Sequence, residues 1–188
     1  MNYLSPLAML YKWEQEKPNE IYLSQPINGI WHNWTWAETG QEVRKMAAYL
    51  RSLNLPEQSK IGLLSKNCAH WVMADFAIMM AGHISVPLYP NLNSDTLAKI
   101  LKHSETKLLF VGKLDGFSNM KAGIPADIPC ITFPFYSEDY PKWDDVTLTI
   151  SPLKENIIRE ENELATIIYT SGTTGDPKGV MHKFFNFS

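Results

Sequence analysis

The chain has 188 residues, of which 45% are hydrophobic and 20% are charged, and its formal net charge is −3. This composition is typical of a globular protein that forms one domain or part of a larger one, and it excludes disorder of the whole chain. Because binding to duplex nucleic acid needs a basic face, the acidic balance excludes nucleic acid as a main partner.

The cysteines and the first residues bear on the cellular compartment. Cys68 and Cys130 have no second cysteine or histidine at metal-ligand spacing, so we interpret them as buried thiols in a reducing environment. Residues 1–17 lack the basic start and apolar core of a secretory signal. The longest apolar region, 71–81, contains Asp75 and is too short to span a bilayer. We therefore expect a cytoplasmic protein without a transmembrane segment.

The first clear element is a helix that begins after Thr35. Thr35 and Glu38 have the spacing of a capping box, which satisfies free N–H groups at a helix start, and Asn54 fits a left-handed helix stop. Apolar residues then recur at helical spacing, which predicts one buried stripe and no other role: Trp36, Val43, Met46, Ala47, Leu50 and Leu53.

Strands and helices are then predicted to alternate as far as residue 133. The strands are expected at 61–64, 84–89, 107–111 and 129–133, and the helices at 69–81 and from Ser94, as the N-cap, to about His103. This order is typical of right-handed βαβ units, and it predicts an α/β fold with a layered parallel sheet and helices on both faces.

The remaining residues divide the chain into three predicted parts. Residues 1–133 would form a first α/β subdomain, and residues 134–163, rich in proline, acidic and aromatic residues, would form a connecting segment. Residues 164–188 would begin a second subdomain, because the apolar run from Ala165 to Tyr169 predicts another buried strand.

The most informative stretch follows that strand and reads Tyr-Thr-Ser-Gly-Thr-Thr-Gly-Asp-Pro-Lys-Gly-Val-Met over residues 169–181. Glycines allow a sharp turn, and consecutive N–H groups in such a turn form a concave site for anions. Hydroxyl groups and a lysine add further donors, so a polyphosphate is the predicted ligand. The alternative is an ordinary surface loop. A Walker-type loop is excluded because Pro177 stands where its second glycine would be required. The candidate binding residues are Thr170, Ser171, Gly172, Thr173, Thr174, Gly175 and Lys178.

Residues 170–180 resemble the signature phosphate loop of the adenylate-forming superfamily, which includes acyl-CoA synthetases, peptide-synthetase adenylation domains and luciferases. Residues 34–38, 61–67 and 86–90 resemble successive early blocks of long-chain acyl-CoA synthetases in the same order. The resemblance implies a large N-terminal domain of two layered α/β subdomains with a small barrel, followed by a mobile C-terminal domain. This chain would then hold the first subdomain and the entry to the second.

The resemblance also implies a reaction, its cofactors and its substrate. A carboxylic acid, of the long-chain fatty-acid type, would be activated by ATP with Mg²⁺ to an acyl adenylate and transferred to CoA. Peripheral membrane contact and oligomer formation stay open. The alternatives are an adenylation domain that loads a carrier protein and a folded fragment without catalytic activity. Because Phe184, Phe185 and Phe187 are expected to form an exposed apolar patch near the end of the chain, we predict a truncated piece. The resemblance implies that the motifs for adenine, ribose, magnesium and acyl recognition lie after residue 188, so we expect this piece to be inactive.

Overall fold

The computed structural model describes residues 5–136, 139–171 and 177–187. Its helices are α1 (Pro6–Glu16), α2 (Trp36–Ser52), α3 (Ala69–Met80), α4 (Ser94–Ser104), α5 (Ser118–Lys121) and α6 (Trp143–Thr147), followed by a 3₁₀ helix (Phe184–Phe187). Its strands are β1 (Ile21–Ile27), β2 (Ile30–Thr35), β3 (Lys60–Leu64), β4 (Ile84–Leu88), β5 (Leu108–Val111), β6 (Cys130–Thr132), β7 (Leu164–Ser171) and β8 (Pro177–Lys183).

The main sheet has six strands in the order β6-β5-β3-β4-β7-β8. The pairs from β6 to β7 are parallel, and only β8 runs antiparallel to its neighbour β7. The strands β1 and β2 form a separate antiparallel hairpin. The predicted α/β class and the βαβ order are therefore confirmed, and the antiparallel strand β8 is an addition that the sequence did not predict.

Helices cover both faces of this sheet, as predicted. Successive strand residues point to opposite faces, so Ile61 and Leu63 of β3 pack with α1, α2 and α3 in one core, whereas Leu64 packs with α4 and α5 in a second core. In β5, Phe110 belongs to the first core and Leu109 to the second. Two buried faces explain why these strands read as continuous apolar runs rather than as alternating ones.

The predicted start and stop of α2 are confirmed. Thr35 and Glu38 form a reciprocal capping box, and Asn54 has a left-handed φ of 51°. The predicted cap of α4 is wrong by one residue, because the side chain of Asn93 accepts the hydrogen bond from the Thr96 N–H at 2.8 Å. Ser94 is instead the first residue of the helix.

The second half of the chain buries two aromatic side chains, and one of them corrects a prediction. The segment 134–163 holds the short helix α6, and its Trp143 is fully buried and donates from Nε1 to Glu42 Oε2 at 3.0 Å. Phe184 is also fully buried, beneath the Arg159 guanidinium at 5.0 Å, so that only Phe185 and Phe187 of the predicted apolar patch are exposed. None of the helices in the described ranges combines the length and the apolar character that a membrane span requires.

The Asp75 carboxyl group on α3, whose Oδ1 atom is buried, is expected to make the stability of the fold depend on pH. Burial raises the pKa of Asp75 to about 6, against the weaker opposite effect of the Ser85 hydroxyl. A raised carboxyl pKa means that the protonated form is favoured in the folded state, so the free energy of unfolding falls as the pH rises from about 4 through 6.

We expect Asp75→Asn to remove most of this dependence and to stabilise the chain at pH 8 by up to roughly 3 kcal/mol. The measurement is urea unfolding of both proteins at pH 5, 6.5 and 8. Asp127→Asn, in an exposed turn before β6, is the matched control and should keep the wild-type slope. A wild-type slope in Asp75→Asn would contradict the prediction.

Candidate functional site

The hairpin of β7 and β8 stands at the carboxyl edge of the parallel strands. Ser85 of β4 pairs with Thr166 of β7, and β4 ends at Leu88 whereas β7 continues to Ser171. The strand β7 therefore runs two residues past the level of Leu88, which corresponds to about 7 Å at the rise of a parallel strand. Its end thus projects beyond the edge where the loops after β3, β4 and β5 also lie.

Two of the predicted binding residues face each other across this hairpin. Thr170 pairs with Lys178, and both side chains are exposed. Residues opposite each other in an antiparallel pair share one face of the sheet. Ser171 ends β7 opposite Pro177. The other predicted residues, Gly172, Thr173, Thr174 and Gly175, lie outside the described residues.

The opposite face of the hairpin is fixed to α4. Tyr169 is buried, and its hydroxyl lies 2.7 Å from Nδ1 of His103. Gly179 pairs with Tyr169 across the strands, and a Cβ atom at Gly179 would come within 3.2 Å of the Tyr169 ring and 2.8 Å of Ile167. A glycine at this position therefore lets the Tyr169 ring lie over β8 and hold the base of the hairpin.

A crevice of about 520 Å³ opens beside the hairpin at the same edge of the sheet. The loop after β3 leads to α3 on one face and the loop after β4 leads to α4 on the other. Such a reversal leaves a crevice where open α/β sheets bind ligands. The walls come from three loops and from α3, β4 and β7: Ser65, Lys66, Asn67, Trp71, Pro87, Leu88, Tyr89, Pro90, Lys113 and Ile168.

Hydrogen bonds hold two of these loops together. The Lys66 N–H donates to the Lys113 carbonyl at 2.8 Å, and the Lys113 N–H donates to Ser65 Oγ at 2.9 Å. The Lys66 ammonium pairs with the Asp115 carboxylate. Lys113 is exposed and, among the described residues, forms no ion pair, so it keeps the edge of the crevice positive.

Residues 61–67 and 86–90 resemble early blocks of long-chain acyl-CoA synthetases, but they were not predicted to form part of a site. A sequence signal for a site was present, because polar residues that directly follow parallel strands lie together at one edge of the sheet. The order of the strands, which decides which loops become neighbours, was the missing information.

The chain matches the family model described as "AMP-binding enzyme" over residues 10–188. The chain belongs to the AMP-binding enzyme family. Relatives in this family include a long-chain-fatty-acid–CoA ligase, FadD15, of Mycobacterium bovis, which is 28% identical over 186 residues. That alignment covers 92% of this chain and 30% of the relative. A long-chain-fatty-acid–CoA ligase of Drosophila melanogaster, heimdall, is 30% identical over 171 residues, with 82% of this chain and 25% of the relative covered.

Solved structures of AMP-binding enzymes share the fold. The anthranilate CoA ligase AuaEII, in complex with anthranoyl-AMP, superposes with a TM-score of 0.84 at 20% identity, over 98% of this chain and 36% of that protein. A fatty acyl-adenylate ligase from L. pneumophila, in complex with acyl adenylate and pyrophosphate, gives a TM-score of 0.74 at 22% identity. This superposition covers 97% of this chain and 31% of that protein. The chain thus spans between a quarter and about a third of the length of these proteins.

Proposed function

We propose that the protein to which this segment belongs activates a carboxylic acid with ATP and then transfers the acyl group to the thiol of CoA. A long-chain fatty acid is the proposed substrate, because the aligned relatives are named for ligases of such acids. The observation that carries the proposal is the pairing of Thr170 with Lys178 at the carboxyl edge of the sheet, beside the crevice.

In the first step a carboxylate oxygen attacks the α-phosphorus of ATP, and the bond from that phosphorus to the bridging oxygen breaks. Negative charge accumulates on the departing pyrophosphate. In this proposal the Lys178 ammonium, the Thr170 hydroxyl and the N–H groups of residues 171–175 bind and neutralise it, which would lower the barrier of this step. Their role is to hold phosphate, not to donate or accept the proton of a reacting group.

In the second step the CoA thiol loses its proton and its sulfur attacks the acyl carbonyl, so that a thioester forms and AMP leaves. The hairpin has little to hold at this stage, because pyrophosphate has already left. The proposal therefore assigns Lys178 to the first step alone.

Magnesium would accompany the ATP phosphates and neutralise part of their charge. Within the described ranges no group of three or more His, Cys, Asp or Glu side chains is arranged to hold a metal ion.

The experiment that tests the function is fatty-acid-dependent exchange between ATP and labelled pyrophosphate, followed by detection of acyl-CoA. We expect exchange and acyl-CoA from a protein that extends this segment to the length of its relatives. Exchange without acyl-CoA, but with loading of a carrier protein, would favour the alternative of a carrier-loading adenylation domain. No exchange with any carboxylic acid would contradict the proposed function.

The same assay gives a separate prediction for the 188-residue chain by itself. Because it spans only 30% of a relative such as FadD15, we expect it to bind phosphate groups without completing adenylation, and its exchange rate should equal that of a blank without protein. Acid-dependent exchange by the 188-residue chain would contradict this prediction.

A further inference from the structure

A second cleft, of about 660 Å³, lies between β2, the first turns of α2 and α3, the turn after β6, and α6. We call it the β2–α2 cleft, and the side chains that give its lining its chemistry are those of Trp34, Glu38, Glu42, His70, Phe135 and Asp144. It shares no lining residue with the crevice beside the hairpin. The proposed adenylation chemistry therefore leaves it without a role.

One wall of the β2–α2 cleft is aromatic. The His70 ring lies edge-to-face with Trp34, with 5.7 Å between the centroids, and 6.3 Å from the centroid of Phe135. Phe135 is 51% exposed and has a φ of 72°, a conformation that a bulky side chain rarely adopts. The faces of aromatic rings such as those of Trp34 and Phe135 attract cations.

The rest of the lining is acidic. Glu38, Glu42 and Asp144 line the cleft, and no lysine or arginine is among its described lining residues. Glu42 is already paired with Lys45 at 3.3 Å. Burial raises the pKa of Asp144, and the neighbouring carboxylates of Glu42 and Asp145 raise it further, whereas Lys45 and Lys142 lower it. A cation bound beside Asp144 would therefore favour its ionised form.

The floor of the cleft holds a buried imidazole. His70 is 5% exposed, and its ring forms no hydrogen bond with any residue in the described part of the chain. Burial lowers the pKa of His70 to about 4, so the ring is neutral at pH 7 and offers one nitrogen as an acceptor. A ligand that donates a hydrogen bond would satisfy this acceptor nitrogen.

The helix starts around the cleft do not turn it into an anion site. The Glu38 N–H donates to Thr35 Oγ1 at 3.2 Å, and the Ala69 N–H donates to Gln25 Oε1 at 2.7 Å. These N–H groups at the starts of α2 and α3 are therefore already satisfied. The cleft offers carboxylates, a neutral imidazole and aromatic faces, all of which favour a cation with N–H groups.

We propose that the β2–α2 cleft binds a guanidinium group, the side-chain chemistry of arginine. A guanidinium is planar and can stack on Trp34 or Phe135 while its N–H groups donate to Asp144 and His70. A compact ammonium group, as in lysine, would be attracted to the carboxylates of the cleft but would not stack on its aromatic rings. The group can belong to a small molecule or to an arginine of another polypeptide, and the recognition chemistry is the same.

The test is a titration of the ¹⁵N-labelled 188-residue chain with N-acetyl-arginine amide, followed by nuclear magnetic resonance at constant ionic strength. N-acetyl-citrulline amide, which has nearly the same shape but no charge, is the matched control ligand. We expect the arginine compound to bind roughly tenfold more tightly and to shift the indole N–H signal of Trp34. Equal binding of the two compounds, or shifts confined to other parts of the chain, would overturn the proposal.

Two variants locate the site. Phe135→Gly removes the exposed ring and suits the positive φ, so it should fold normally and bind at least about threefold more weakly. Asp144→Asn should weaken binding similarly, whereas Asp145→Asn, a neighbouring carboxylate outside the lining, should not. Unchanged binding in Phe135→Gly and Asp144→Asn would overturn the proposal. A last comparison distinguishes the two sources of the guanidinium group. Tighter binding of a blocked Gly-Gly-Arg-Gly-Gly peptide than of 4-aminobutylguanidine would identify a polypeptide as the ligand. Tighter binding of 4-aminobutylguanidine would identify a small molecule.

Discussion

Lys178→Met should slow adenylation by about ten- to a hundredfold in the longer enzyme, because a charge-assisted contact to phosphate contributes roughly 1.5–3 kcal/mol. Methionine keeps an unbranched side chain of similar length but removes the ammonium that follows the phosphates. Lys178 is exposed on β8, so the substitution should leave the fold intact. The measurement is the rate of ATP–pyrophosphate exchange at saturating fatty acid.

Lys183→Met is the matched control for this prediction. Lys183 is the last residue of the same strand, opposite Leu164, at the end away from residues 170–171. The same chemical change there should alter the exchange rate by less than about threefold, as expected for a charge distant from the phosphates. Similar losses in both variants would mean that lysines act on the fold or on the overall charge rather than on the bound phosphate.

Arg159→Met should destabilise the chain by roughly 2–4 kcal/mol, because it leaves buried acceptors without their donor. Arg159 is 6% exposed, its Nη1 donates to the Met79 carbonyl at 2.8 Å, and its Nε pairs with Glu163 at 2.5 Å. Its guanidinium also covers Phe184. One side chain thus joins the end of α3, the approach to β7 and the 3₁₀ helix. The measurement is the free energy of unfolding in urea at pH 7.

Arg51→Met is the control for Arg159. Arg51 pairs with Glu155 at 3.4 Å, and the two side chains are 37% and 59% exposed. Exposed ion pairs contribute about 0–1 kcal/mol, so this variant should remain close to the wild type. If the two arginine variants lost equal stability, burial of Arg159 would not be the reason for its effect.

Much of the fold could be predicted because local signals agreed with one another. The capping box at Thr35, the left-handed Asn54 and the apolar strand runs each depend on residues close in sequence, and the structure confirms them. The helix α1 and the hairpin of β1 and β2 were not predicted, because they have no long apolar run of their own. They are fixed by tertiary contacts, such as the buried Leu7 and Leu10 against the first core.

The acidic region before β7 shows a different limit of sequence reasoning. The sequence around Arg159 is rich in charged residues and gives no sign of burial, yet Arg159 is buried by contacts with residues about 80 positions earlier in the chain. The prediction that Phe184 is exposed failed for a similar reason, since its partner Arg159 lies 25 positions away in the sequence. Pairings between charged and aromatic residues that are distant in sequence leave no periodic pattern to read.

The sequence predicted which residues belong to the candidate site but not the hairpin in which two of them lie. Glycines, hydroxyls and Lys178 indicated a phosphate loop, whereas the hairpin that pairs Thr170 with Lys178 depends on β8, which was not predicted. The β2–α2 cleft left no sequence signal, because His70, Phe135 and Asp144 come from three separate elements. The division at residues 133 and 163 into subdomains stays a prediction.

The most direct test of the role of the hairpin is the ratio of the two half-reactions in one preparation of the Lys178→Met enzyme. Adenylation is measured by pyrophosphate exchange, and thioester formation is measured from a supplied acyl adenylate and CoA. We expect adenylation to fall at least about tenfold more than thioester formation, because pyrophosphate is absent from the second step. Equal losses in the two half-reactions would contradict the assignment of Lys178 to phosphate binding.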